Sequence, residues 1–167
     1  VWFEDPAARA TPQVLEGFKR SEAHDAAGLE RVMALLGLSE AGGTILLMGD
    51  YARFATALAA NLDFSVVTMG DSALGPAPGT GVARGIAVSS VHGSPRSVPF
   101  SDGSFRAAAL DDAHAAEVVR CVAPGGRLLG PIALTLPAGV RELARDDREW
   151  VGERVPTAPM VTLGRRA

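Results

Sequence analysis

Apolar positions along this chain fall into short blocks whose spacing alternates between the two periods of regular structure. Thr44–Met48 is a continuous apolar run bounded by Gly42-Gly43 and Gly49, the pattern of a strand buried on both faces. Phe54, Ala55, Leu58, Ala59 and Leu62 then recur at helical spacing within 52–62. Ser65–Met69 is a second buried strand, closed by Gly70 and Asp71. Together these predict a strand–helix–strand unit around which the rest of the chain is organised. Upstream, Thr11-Pro12 opens a short helix through Phe18. A second helix begins at Ser21, carries Leu29, Val32, Met33, Leu35 and Leu36 on one face, and stops near Gly37.

Downstream of Asp71 the pattern weakens. Pro76, Pro78 and the glycines at 75, 79, 81 and 85 forbid most of the helix expected in a crossover, which leaves a loop. Further strands are predicted over 86–91, 106–110 and 127–136, the last broken at Gly130-Pro131, with a helix over 113–122 that Asp112 is able to cap. A charged amphipathic helix is predicted over 138–148, and a closing antiparallel hairpin from 150–155 and 160–163. The expected fold is α/β: a doubly wound, mainly parallel, Rossmann-like sheet with helices on both faces and a C-terminal antiparallel hairpin. Residues 1–38 are expected to form a helical cover and 39–167 a single globular unit.

Composition narrows the function classes. The net charge is −3 with both signs interspersed, so no basic stripe points to nucleic acid. No apolar run reaches the roughly 18 residues of a membrane span. A single cysteine, Cys121, excludes an internal disulfide and fits a reducing compartment, hence an expected cytoplasmic setting. Hydrophobic residues make up 47% of the chain, more than a compact domain of this size needs, which suggests a buried partner surface.

The turn after the first strand is where a nucleotide-type ligand would approach the backbone, and such turns need glycines. This one reads Gly49-Asp50-Tyr51-Ala52, with one glycine and with a carboxylate at the helix start that opposes an anion. Asp71 lies about 20 residues beyond the turn, where a ribose hydroxyl is usually held.

Two further stretches carry a resemblance. Val98–Leu110, VPFSDGSFRAAAL, resembles the L-P-F-x-D-x-S-F-D segment before the fourth strand of class I S-adenosylmethionine-dependent methyltransferases. Val118–Gly130, VVRCVAPGGRLLG, is similar to their R-V-L-x-P-G-G-x-L segment. The resemblance spans residues 28–165. It implies S-adenosylmethionine as cofactor, with Gly49 as first loop glycine, Asp71 on the ribose and Ser94 beside the adenine. The departures are as telling. The acid expected before the loop falls on Leu46 or Leu47, the adenine-side Gly-Asp reads Gly93-Ser94, and the Asp after the S-F pair is Arg106.

Two readings follow. In one, the domain is an active methyltransferase on a small molecule, with Asp111, Asp112 and His114 where a substrate-facing base is wanted. The plain alternative for these three is a cap and a solvated helix start. In the other reading, preferred here, the degraded loop holds no cofactor. The domain then serves as a non-catalytic binding or structural subunit of a larger assembly, with Trp2, Phe3 and Trp150 as candidate contacts to a protein partner. Asp-Asp-x-His without further ligands predicts no metal site.

Overall fold

The computed structural model describes residues 26–40, 42–62, 64–69, 88–91, 98–111 and 114–156. Helix α1 occupies 26–36. Strand β1 (Thr44–Met48) leads through a 3-10 turn (Gly49–Phe54) into helix α2 (Ala55–Leu62) and strand β2 (Ser65–Met69). There follow β3 (Val88–Val91), β4 (Phe105–Ala109), helix α3 (Ala115–Cys121), β5 (Val122–Pro131), β6 (Val140–Arg145) and β7 (Glu149–Arg154). They form one seven-stranded sheet in the order β3-β2-β1-β4-β5-β7-β6. The first five strands are parallel; β7 is antiparallel to both of its neighbours. This is the expected Rossmann-like architecture.

Period-two alternation along β1 divides the core into two layers. Ile45 and Leu47 pack with Val32 and Leu36 of α1 and with Leu58 and Ala59 of α2. Leu46 and Met48 face the other way, into the layer that holds Val118 and Val119 of α3. All four β1 residues have no exposed surface, as a central strand covered by helices on both sides requires. Ala107, Ala108 and Ala109 do the same on β4, where small side chains let the helices approach.

The two family-like segments hold each other. Arg120 Nη1 donates to the carbonyl of Phe100 (2.7 Å) and to Asp102 Oδ1 (3.0 Å), and its Nη2 donates to Val98 O (2.9 Å). Arg106, in place of the family's Asp, donates to the carbonyls of Glu40 and Gly42 at 3.1 Å each and fastens the entry to β1.

Three expectations need correction. The stretch over 138–148 is not a helix: β6 fills its middle and pairs antiparallel with β7, Arg141 opposite Glu153 and Arg145 opposite Trp150. The Glu142–Arg145 ion pair (2.7 Å), spaced like a helical pair, forms across a register shift in the strand between Glu142 and Ala144. The C-terminal hairpin is therefore β6–β7, and 160–163, its expected second arm, lies outside the described residues. The fifth strand runs over Val122–Pro131, not 127–136. Pro124-Gly125-Gly126 bulges out of this strand: Phe105 is opposite Val122 and Ala107 opposite Arg127, so four residues are looped out against one. Gly126 permits the loop, because a Cβ there would stand 2.5 Å from Arg106 O. Finally, the first turn of the helix predicted over 52–62 is 3-10, and α2 proper begins at Ala55. The helix predicted over 11–18, the loop over 75–85 and residues 86–87 of the third strand also lie outside the described residues.

Candidate functional site

The direction of strand order reverses between β1 and β4, with β2 and β3 on one side and β5 on the other. Open α/β sheets bind ligands at such a reversal, outside the carboxyl ends of the strands. A cavity of about 790 Å³ lies there, between α1, the 3-10 turn, Leu110-Asp111 and the segments around 131–134 and 148–149.

Part of its polar wall is a connected network. Tyr51 Oη donates to Glu149 Oε1 (2.9 Å), and Arg31 Nε donates to Glu149 Oε2 (2.8 Å). Arg31 also pairs with Asp146, whose other oxygen accepts the backbone N–H groups of Arg148 (2.8 Å) and Glu149 (2.9 Å). Three segments far apart in sequence are thereby tied together: α1, the turn after β1, and the β6–β7 turn. Burial, reinforced by the bond to Glu149, pushes the Tyr51 phenol well above its ordinary pKa. The Arg148 N–H, then Arg31 and the Glu149 N–H, hold the Asp146 carboxyl down at about 2. The paired carboxylates raise Arg31 in turn.

Gly49, in the same turn as Tyr51, adopts φ +53°, and a Cβ there would stand 3.3 Å from Asp111 Cβ. Glycine is required by conformation and space together. Asp111 lines the cavity and places Oδ1 3.4 Å from Nδ1 of His114, whose ring is almost wholly buried. His114 Nε2 is buried and has no hydrogen-bond partner among the described residues. His114 is the N-cap residue of α3 but makes no side-chain cap bond.

Of the predicted site residues, the structure thus brings Gly49, Asp111 and His114 together at the reversal point. Asp71, Ser94, Asp112, Trp2 and Phe3 lie outside the described residues. Trp150 is corrected: it has no exposed surface, its Nε1 donates to Leu134 O (2.8 Å), and its ring fills the space above Gly130. A residue spent on its own core does not anchor a partner. Sequence reasoning missed Arg31, Asp146 and Glu149; Asp146 fell in the last turn of the helix expected over 138–148 and Glu149 just past its end. The Asp146-Asp147-Arg148 run was the available signal, since an Asp that accepts backbone N–H groups two and three residues on marks a turn. Among the described residues no group of three or more His, Cys, Asp or Glu is placed to hold a metal ion, and no helix is long and apolar enough to cross a membrane.

No protein-family model matches the chain, and no curated protein matches its sequence. Solved structures do match. One is a chain from the complex between the Haloferax volcanii Trm112 methyltransferase activator and its assigned methyltransferase: TM-score 0.55, 12% identity, 83% of this chain and 95% of that one. Another is a geranyl diphosphate methyltransferase in complex with S-adenosylmethionine, at TM-score 0.54 and 22% identity, over 75% of this chain and 55% of that one. A third is the [4+2]-cyclase SpnF, with TM-score 0.53 and 22% identity, over 77% of this chain and 48% of that one. The chain spans nearly all of the first and about half of the other two. The fold is that of the class I S-adenosylmethionine-dependent methyltransferases, and at these identities the likeness is one of fold. The cyclase among the neighbours illustrates how one such sheet carries different chemistries.

Proposed function

We propose that this chain is a methyltransferase-fold binding subunit that does not itself transfer methyl groups and works docked on a protein partner. The observation that carries the reading is the turn after β1. Where backbone amides would meet a cofactor, the chain has a 3-10 turn with one glycine, and Tyr51 is bonded across to Glu149 on β7. The acid expected at the end of β1 is replaced by Leu46 and Leu47, both without exposed surface. The Haloferax neighbour, solved with an activator protein, supports the idea that this fold works in a complex. In this chain Trp2 and Phe3 are the proposed contacts.

Titration calorimetry with S-adenosylmethionine and S-adenosylhomocysteine tests this directly. No heat of binding at millimolar ligand is expected, and no change in melting temperature. Ligand at 100 times its Kd would stabilise by about 2.7 kcal/mol, several degrees for a chain of this size. A shift of that order overturns the reading.

The second reading, an active methyltransferase on a small molecule, draws support from the cavity itself and from Asp111 beside a buried imidazole. In that case S-adenosylmethionine would supply the methyl group, and Asp111 would accept a proton from the acceptor atom. An Asp111→Asn variant that loses turnover while binding cofactor unchanged would favour it.

A further inference from the structure

We propose that the Gly49–Phe54 turn is a gate on the cavity, latched in its 3-10 form by the Tyr51–Glu149 hydrogen bond. Released, the turn joins α2 as α-helix. The inference deepens the reading of this turn given above, and three observations carry it. The first is a conflict between sequence and conformation. Ala52 and Arg53 are good helix formers, and the stretch from 52 is spaced as one helix with α2. Yet the 3-10 form runs for six residues, and Ala55 donates its N–H to Ala52 O, not to Tyr51 O. Such runs rarely exceed three or four residues, because their hydrogen bonds are poorly aligned. A contact outside the turn is needed to hold it.

The second is the pair of anchors that supply this contact. Tyr51 Oη reaches Glu149 (2.9 Å), which is itself fixed by Arg31 Nε of α1 (2.8 Å). Three residues on, Phe54 is buried against α1 at Gly28, where a Cβ would stand 2.9 Å from the ring's Cζ. Gly28 and Arg31 are also three apart, one turn of α1. Tyr51 and Phe54 pack on the same core layer, so the turn aims both side chains the same way.

The third is that the latch and the form of the turn depend on each other. Side chains three apart eclipse in a 3-10 helix, whereas in an α-helix they diverge by about 60°. With Phe54 fixed in the core, conversion to α-helix swings Tyr51 aside. Its hydroxyl then leaves Glu149, since a hydrogen bond tolerates only tenths of an ångström. Gly49, Tyr51, Phe54 and Glu149 all line the cavity, so release reshapes it.

The test is nuclear magnetic resonance on the unmodified chain and on Tyr51→Phe and Glu149→Ala, each of which removes one half of the latch. In the unmodified chain, Hα-to-amide contacts between residues two apart are expected across 49–54, the mark of a 3-10 helix. Both variants should gain the contacts between residues four apart that mark an α-helix, from Asp50 to Phe54 and from Tyr51 to Ala55. Amides of the turn should exchange with solvent about fivefold faster in both, as loss of one net hydrogen bond allows. The β1 amides should stay protected, which reports an intact fold. An unchanged contact pattern in either variant, or a turn that loses the old contacts without gaining the new, overturns the proposal. Titration calorimetry of the same three proteins with S-adenosylhomocysteine keeps the two readings apart. Binding by the unmodified chain overturns the reading of the turn as closed to cofactor, while the backbone contacts still decide the latch.

Discussion

Strands β1 and β6 belong to the same sheet and are held in opposite ways. In β1 the four residues Ile45–Met48 have no exposed surface, and each is pressed into one of two core layers. In β6 only Val140 is half-buried and the other five residues are exposed. Burial specifies β1, since a one-residue slip would exchange its two apolar faces between layers. Partners specify β6. The Asp146 turn starts the return strand, and Gly152 leaves room for Val140, whose Cγ1 would stand 2.4 Å from a Cβ there. Arg141 pairs with Glu153 at 2.9 Å across the ladder. Among the described residues nothing pairs with the outer edge of β6, and its charges are paired along it, which discourages edge-to-edge association. The strong strand sets where the cavity lies. The hairpin at the weak edge supplies Asp146, Arg148 and Glu149, the polar groups that shape it.

The largest expected effect tests whether the weak edge shares the strong core. Trp150→Ala removes the largest fully buried side chain, on the strand that joins β6 to the sheet. Such truncations cost about 3–5 kcal/mol, and at this chain length each kcal/mol lowers the melting temperature by roughly 2–4 °C. Denaturant unfolding checks it. A loss below about 1 kcal/mol would mean that the antiparallel hairpin folds apart from the parallel strands.

A smaller effect is expected at the tie between the two regions. Glu149→Ala deprives Tyr51 and Arg31 of an acceptor in a half-buried setting, and a cost of about 1–3 kcal/mol follows. The same change should increase hydrogen exchange in the 49–54 turn while leaving β1 protected. Equal loosening of both would show that the turn is held by β1 alone.

The contrast also explains what was legible in the residues. The strands Thr44–Met48 and Ser65–Met69 could be read because their apolar side chains answer to burial, and burial has a period. Val98–Phe105 and Arg120 could be read because they are scaffold: they hold one another, and the family resemblance lies in them. The 138–148 stretch was misread because an edge strand exposed on both faces imposes no period. Its Glu and Arg, three apart, satisfy a helix as well as a bulged strand. Gly49 and Asp111 line the cavity at the ends of strands that the sequence marks, whereas the tie of Arg31 to Glu149 spans 118 residues, and no local pattern encodes it.

Titration separates the tie from the core by pH. Asp146, held at about 2 in the fold against an ordinary 3.8, binds its proton less tightly when folded. Its contribution is complete above about pH 4 and is lost as the pH falls toward 2. Asp146→Asn should flatten the acid limb of melting temperature against pH over that window. Tyr51 runs the other way: with its pKa raised on folding, the tie is intact below about pH 10, and stability declines as the pH rises beyond it. Tyr51→Phe should remove that alkaline decline. Unchanged limbs in both variants would mean that other groups set the pH response.

The smallest effect sharpens the comparison most. Leu143 is apolar, lies in a strand, and by residue type alone is the equal of Leu46. Yet it sits at the register shift between Glu142 and Ala144 and is 43% exposed, against none for Leu46. Burying a leucine stabilises by about 1.5–3 kcal/mol, and truncating one in a core costs about 2–5 kcal/mol. Leu46→Ala should fall in that range. Leu143→Thr removes little packing and keeps a residue suited to a strand, so its effect should stay within about 0.5 kcal/mol of zero. Paired chemical denaturation of the two variants measures the difference. A large loss at Leu143 would mean that something covers this face of β6 in solution, and the protein would then be examined for self-association by sedimentation, since a second copy is the simplest cover for an edge strand.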